Sequence, residues 1–215
     1  MTSTGTPSAV RRLAAIAVLD VVGYSRMMAE DEEATYAAFV AHRNAIDPVL
    51  LNHGCRIVKG TGDGVLIEVP SAVEAVRAAI EVQELMAERN ASAPESRRMQ
   101  LRIGINPGDI IVDEDGDVHG DSVNIAVRLE GEAHPGGACI SDLVHKQIQG
   151  RVDANFSDGG SVAVKNIPAP VHPGWTRHSG TLLTSLRTTL TRLHPTSFAP
   201  TRSNARKTST TGRTV

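Results

Sequence analysis

The sequence predicts an α+β fold: a ferredoxin-like βαββαβ core extended by a further αβ unit, with the helices packed on one face of the sheet. Three observations predict it. Leu13 to Asp20, LAAIAVLD, is a nearly continuous apolar run of strand length. Arg56 to Pro70, RIVKGTGDGVLIEVP, holds two short apolar runs joined by a glycine-punctuated turn, the pattern of a β-hairpin. Between and after them, 31–52 and 71–90 carry apolar residues at helical spacing. Strand, helix, hairpin, helix, strand is the order of a sheet with crossing helices, a plan that serves many functions.

Each element has its own signal. The first strand ends in a carboxylate, Asp20, which the buried run places at the mouth of the core. The helix of 31–52 opens with acids in its first turn and stops at His53-Gly54. In the hairpin, three glycines in five residues permit a sharp turn and the close approach of a ligand, and Lys59 and Asp63 are displayed at the tip. Ser71 caps the next helix with Glu74 three residues on, and Ala72, Val76, Ala79, Val82 and Met86 form its buried stripe, edged by Val73 and Ile80. The strand Leu101 to Asn106 follows, and Pro107-Gly108 is expected to turn the chain into a separate run, Asp109 to Val112. After an acidic loop, 113–121, a helix begins near Asp121-Ser122. Asn124 and Arg128 lie four apart on one of its faces, and Val123, Ile125, Ala126 and Leu129 supply most of its apolar surface. The strand ACIS, a helix SDLVHKQIQ and two strand-like stretches ending in SVAVKNIP complete the body.

Composition bounds the chain. At 215 residues and 40% hydrophobic, it suits one domain with a sizeable core. No apolar run approaches the ~20 residues that span a bilayer, so no transmembrane segment is expected. The first residues, MTSTGTPSAVRRL, lack the apolar stretch of a secretory signal. Cys55 and Cys139 sit in apolar strand-like runs, which points to buried reduced thiols and a cytoplasmic setting. Charge divides the chain. Residues 1–170 hold 15 basic against 24 acidic side chains, a charge of −9, whereas 171–215 hold seven basic residues and no acid. Three regions are expected: a disordered N-terminus at 1–10, a globular domain at 11–171, and a basic, Ser/Thr-rich disordered tail at 172–215. An acidic body with only 3% aromatic residues argues against nucleic-acid binding.

The chemistry follows from the two aspartates. If the first strand lies beside the hairpin, Asp20 and Asp63 converge, and two hard oxygen ligands at one point suit Mg²⁺ or Mn²⁺ held together with substrate phosphates. The loop 113–121 has the glycines and acids of a weak Ca²⁺ site but lacks the terminal glutamate and the spacing of an EF-hand loop.

LDVVGYS, then KGTGDG about forty residues later, then DVHGDSVNIAVRLE resemble, in residue type, order and spacing, the catalytic domain of the class III nucleotidyl cyclases, the adenylate and guanylate cyclase family. The resemblance covers Arg11 to Val171 and implies the nucleotide cyclase fold. It implies that ATP or GTP is cyclised by attack of its own 3′-hydroxyl on the α-phosphorus with loss of pyrophosphate, a reaction that needs positioning and charge stabilisation rather than a covalent nucleophile. By match to the motifs, two divalent metal ions fall to Asp20 and Asp63, Asn124 orients the ribose, and Arg128 stabilises charge on the α-phosphate. Base choice falls to Lys59 and Asp117, the residue types that accompany adenine, so ATP is the expected substrate. Lys165 stands where the family often has a cation for the terminal phosphates.

The resemblance further implies a homodimer with composite sites, since in the family the metal-binding aspartates come from one subunit and the Asn and Arg from the other. The chain departs from the pattern at its C-terminus, where a final apolar strand is usual and Val171-His172-Pro173-Gly174-Trp175 gives way to the basic tail. Leu183, Leu186, Leu190 and Leu193 in that tail keep 3-4-3 spacing, but the surrounding Thr and Ser residues oppose a stable helix. A catalytically silent nucleotide-binding or dimerisation module, and a guanylate cyclase, are the alternative readings. The first is opposed by the presence of all six role-bearing residues, the second by Lys59 and Asp117.

Overall fold

The computed structural model of the protein describes residues 9–154, 156–158 and 174–176, with side chains for 9–60 and 62–154. The chain divides into Met1–His178 and Ser179–Val215, and only the first unit contains described residues. Fourteen elements follow one another: β1 (Val10–Val21), α1 (Tyr24–Glu30), α2 (Glu32–Asn52), β2 (Arg56–Thr61), β3 (Gly64–Val69), α3 (Ala72–Ala91), a short 3₁₀ turn (Glu95–Arg97), β4 (Leu101–Val112), β5 (Val118–His119), α4 (Asp121–Glu132), β6 (Gly137–Ile140), α5 (Asp142–Ile148), β7 (Phe156–Asp158) and β8 (Gly174–Thr176).

The strands form one sheet in the order β2-β3-β1-β4-β6-β8-β7, with β5 paired to β4. β1 lies between β3 and β4, antiparallel to both. It runs against β3 from Ala15↔Val69 to Leu19↔Val65 and against β4 along its full length, from Val10↔Val112 to Val21↔Leu101. Side chains alternate across the pleat. Ala15, Ala17, Leu19 and Val21 therefore join Ile67, Ile103 and Ile105 in a core covered by α2, α3 and α5, while Ile16, Val18, Leu66 and Ile110 build a second core on the other face.

Local chemistry sets the helix ends. Asp31 accepts a hydrogen bond from Ala34 N and starts α2, and Ser71 accepts from Val73 N and starts α3. The five stripe residues of α3 are all buried. Glu74 does not return to its cap but contacts His53 and Arg77.

Five features differ from the sequence expectations, each for a physical reason. First, Leu101 to Val112 is one strand with no turn at Pro107-Gly108. Beyond β4, β6 reaches only Ile105 and β5 begins at Ile111, so among the described residues no strand pairs with 106–110 on that side, and a residue without an N–H is tolerated there. Second, helices cover both faces. The core helices α2 and α3 share one, and α4 lies on the other, where a Cβ on Gly104 would overlap backbone atoms of Ala126 and Glu130. The missing side chain lets the helix rest directly on the strand. Third, 24–30 form a separate short helix ahead of α2, seated by Met27. Fourth, Leu13 is 77% exposed, whereas Ala15, the next residue on its face of β1, is buried in the main core. Fifth, Gly174–Thr176 pair with both β6 and β7, so a strand stands beyond Val171. The expected disorder of 1–10 and of the tail falls on residues that are almost all outside the described ones.

Cys55 and Cys139 are free and buried, and burial pushes their thiols up to about 11 and about 12. No helix among the described residues is long and apolar enough to cross a membrane.

Candidate active site

Asp20 lies at the last turn of the pleat in β1, and the register Leu19↔Val65 sets it level with Gly64, next to the hairpin turn. That turn is only Gly62-Asp63. Gly62 adopts φ 84°, a left-handed conformation that other residues resist, and Asp63, next to it, lines a small cavity with Leu19 and Val21 at the end of β1. The two carboxylates repel one another. Burial first, then the charge of Asp63, raises the pKa of Asp20, opposed by Arg102.

Arg102 was not singled out in the sequence, yet it anchors the cluster. It pairs with Asp20 across β1 and β4 in the register, and its Nη2 lies 3.3 Å from Asp20 Oδ2 while its Nε lies 2.9 Å from Glu130 Oε1. Glu130 is buried, and burial raises its pKa, opposed by Arg102 and reinforced by Asp20 and Asp63. Two carboxylates thus share one guanidinium, and Asp63 adds a third negative charge close enough to act on both, an excess that suits divalent cations with oxygen ligands. Both missed residues left a trace in the sequence. Arg102 interrupts the apolar strand LRIGIN, and Glu130 occupies the helical position four after Ala126, on the buried side of α4.

Lys59 stands within β2 rather than in the turn, just after a bulge between Ile57 and Lys59 that breaks the pairing register with β3. Its Nζ donates to Asp117 Oδ2 at 2.5 Å. Asp117 closes the turn between β4 and β5. Its N–H is held by Asp113 Oδ1 at 2.8 Å, and its own Oδ1 accepts from Val118 N at 2.8 Å. The bond from Lys59 is the leading cause that lowers the Asp117 pKa. Donor atoms of Asp113, Asp117 and His119 lie within 4.8 Å of one another. That group is already balanced internally, by Lys59 on Asp117 and by His119 at 3.2 Å from Asp113.

Asn124 is exposed on α4, and Arg128, one helical turn later, is half-buried. Among the described residues, Arg128 Nη1 is buried without a hydrogen-bond or ion-pair partner. Glu130, the α4 side chain that faces the aspartates, is two residues past Arg128 and so about 200° around the helix. Asn124 and Arg128 are therefore directed away from Asp20 and Asp63 of their own chain. Lys165 lies outside the described residues.

The adenylate and guanylate cyclase catalytic domain family matches residues 10–178. A protein of Rhizobium meliloti (strain 1021) named "Putative adenylate cyclase 3" is 49% identical over 163 residues, 75% of this chain and 28% of the relative's own length. This chain therefore spans little more than a quarter of that relative. The crystal structure of an adenylate/guanylate cyclase/hydrolase from Silicibacter pomeroyi is similar with a TM-score of 0.75 and 44% identity, covering 80% of this chain and 99% of that one. The adenylyl cyclase CyaB from P. aeruginosa shares the fold at a TM-score of 0.70 and 24% identity over 80% of this chain and 96% of that one. The match over residues 10–178, the 49% identical relative and the likeness in fold lead to one conclusion: the chain belongs to the adenylate and guanylate cyclase catalytic domain family.

Proposed function

We propose that the chain is an adenylate cyclase that converts ATP to 3′,5′-cyclic AMP and pyrophosphate at sites shared by two copies of itself. The observation that carries this reading is the meeting of Lys59 and Asp117, one cationic donor beside one carboxylate acceptor. Adenine offers an acceptor at N1 and a donor at N6, and this pair matches both. Guanine presents the reverse pattern and would leave two polar groups mispaired, at about 1–3 kcal/mol each.

The other residues take their roles around the base. The ribose 3′-oxygen forms a bond to the α-phosphorus, the bond from that phosphorus to the β-phosphate oxygen breaks, pyrophosphate departs with the electron pair, and the hydroxyl proton passes to solvent. Asp20 and Asp63 would hold Mg²⁺ or Mn²⁺. When bound, two such ions lower the pKa of the 3′-hydroxyl and neutralise the phosphates. Asn124 orients the ribose, and Arg128, whose Nη1 has no hydrogen-bond partner among the described residues, donates to the α-phosphate as its charge grows. Lys165 neutralises the terminal phosphates. The outward direction of Asn124 and Arg128 supports a homodimer in which they complete the partner's aspartate site. A reaction fed by ATP belongs in the cytoplasm.

Purified chain incubated with ATP or GTP and Mn²⁺, with cyclic nucleotide and pyrophosphate quantified, tests the proposal. Cyclic AMP from ATP, abolished by Asp63→Ala, is the expected result. Cyclic GMP as the main product would overturn the base assignment. No product from a folded dimer would favour a silent nucleotide-binding module.

A further inference from the structure

Arg56 and Glu68 lie outside every role assigned so far, yet they form an ion pair that a second arginine, Arg12, joins. Glu68 is only 8% exposed, at the penultimate position of β3, where an unpaired carboxylate would be costly. Two guanidinium groups satisfy it. Arg12 Nη2, from β1, lies 2.7 Å from both carboxylate oxygens, and Arg56, opposite Glu68 on β2, contacts Oε2 through Nε at 2.8 Å and Nη2 at 2.7 Å.

One nitrogen of Arg56 remains, and its direction is fixed by the two already engaged, because the guanidinium is planar. That nitrogen, Nη1, donates to Gly116 O at 2.8 Å. Gly116 is the residue before Asp117 and sits at φ 81°, with Arg56 Nη1 3.5 Å from where its Cβ would be. In the sheet order β2 is separated from β4 by β3 and β1, so this bond ties an outer strand to the turn that closes β4 and β5. It fixes the backbone of that turn three residues along β2 from Lys59.

We infer that Arg56, oriented by Glu68, is a positioning residue for base recognition: it holds the turn that presents Asp117 at the distance from Lys59 that adenine requires. The inference rests on the reading of Lys59 and Asp117 as the base-recognising pair. To admit a base edge, Lys59 and Asp117 have to release one another. With Gly116 anchored, that release is a side-chain movement and the acceptor stays in place. Without the anchor, the 113–117 turn shifts with its carboxylate, and the discrimination between adenine and guanine is lost, while the phosphate-binding groups are untouched.

The test uses Arg56→Lys, which keeps the positive charge beside Glu68 but cannot reach Glu68 and Gly116 together, and Arg56→Ala as a second variant. Affinities for 3′-deoxy-ATP, 3′-deoxy-GTP and inorganic tripolyphosphate are measured on the full chain with Mn²⁺ by equilibrium competition. These probes do not cyclise, so turnover does not enter. The expected result for Arg56→Lys is a loss of about tenfold in the adenine-over-guanine ratio, one missing interaction's worth, with tripolyphosphate affinity unchanged. The same change should vanish in an Asp117→Asn background. Equal weakening of all three probes, or an unchanged ratio in a protein where Asp117→Asn collapses it, overturns the inference and leaves the base pair assignment standing. An unchanged ratio in Asp117→Asn itself overturns the base assignment and the inference with it.

Discussion

Replacing Gly104 by alanine tests how α4 is seated on the sheet. The new Cβ would overlap three backbone atoms of the helix, Ala126 O, Glu130 N and Glu130 Cα. Backbone cannot rotate aside as the tip of a side chain can, so α4 has to lift off β4 or the strand has to buckle. Overpacking of this kind costs about 1–3 kcal/mol, with backbone partners at the upper end. Alanine recovers about 0.5–1 kcal/mol through the lower entropy of the unfolded chain. The net loss is about 2 kcal/mol, or roughly 4–8 °C in Tm for a domain of this size. Gly108, on the same face of β4, is the internal control. There the Cβ would meet the Ser122 hydroxyl, which can turn away at the expense of its 3.1 Å bond to Asp109 O. That bond is worth about 1 kcal/mol and nearly cancels the entropy gain, so Gly108→Ala should stay within about 2 °C of wild type. Thermal unfolding followed by circular dichroism on both variants reads the difference. Equal losses, or a Gly104→Ala protein as stable as wild type, would refute the account of direct helix-on-strand packing.

Three further outcomes are expected. Asp20→Ala and Arg128→Ala should each abolish cyclase activity, whereas an equimolar mixture should recover about a quarter of it, since half the dimers are mixed and each has one intact site; no recovery after subunit exchange would show that one chain builds the site alone. His53 places Nδ1 3.0 Å from Glu74 and Nε2 2.8 Å from Glu81, an arrangement that only the imidazolium satisfies from both nitrogens. Burial opposes its charge, but the bonds to Glu74 and Glu81 prevail and its pKa is raised, so its stabilisation is complete below about pH 6.5, the unfolded value, and is lost as pH rises through the higher folded one. Denaturant midpoints should fall across that window in wild type and stay flat in His53→Gln; parallel curves would exclude the cluster as the cause. Arg102→Met removes the cation shared by Asp20 and Glu130, and should cost about 2 kcal/mol, less than a fully buried pair because the groups are partly solvated. Mn²⁺ should raise the Tm of this variant more than that of wild type, and an equal rise would remove Arg102 from the account of the site.

Much of the fold was legible because periodicity reports burial. The stripe of α3, the acid-started α2 and the apolar run of β1 were readable from spacing alone, since each buries one face or both. Pro107-Gly108 misled because a proline is punctuation only where its missing N–H faces a partner, and among the described residues neither β5 nor β6 reaches this stretch of β4. Leu13 read as core because an apolar residue in an apolar run carries no mark of which neighbours stop short of it.

The sequence by itself determined which side chains are candidates for the proposed site. Asp20 at a strand end, Asp63 in a glycine turn, and Asn124 and Arg128 one helical turn apart are visible as local geometry, which follows from 3.6 and 2.0 residue periods, while the pairing of Lys59 with Asp117 was implied by the resemblance to the cyclase motifs. Only the tertiary structure decided what those side chains meet. Arg102 and Glu130 join Asp20 because register and helix seating bring residues 20, 102 and 130 together. Arg56 reaches Gly116 across 60 residues of chain. Such contacts depend on how a sheet curls and where a helix lies upon it, and these are sums of many small packing preferences that no short stretch of sequence contains.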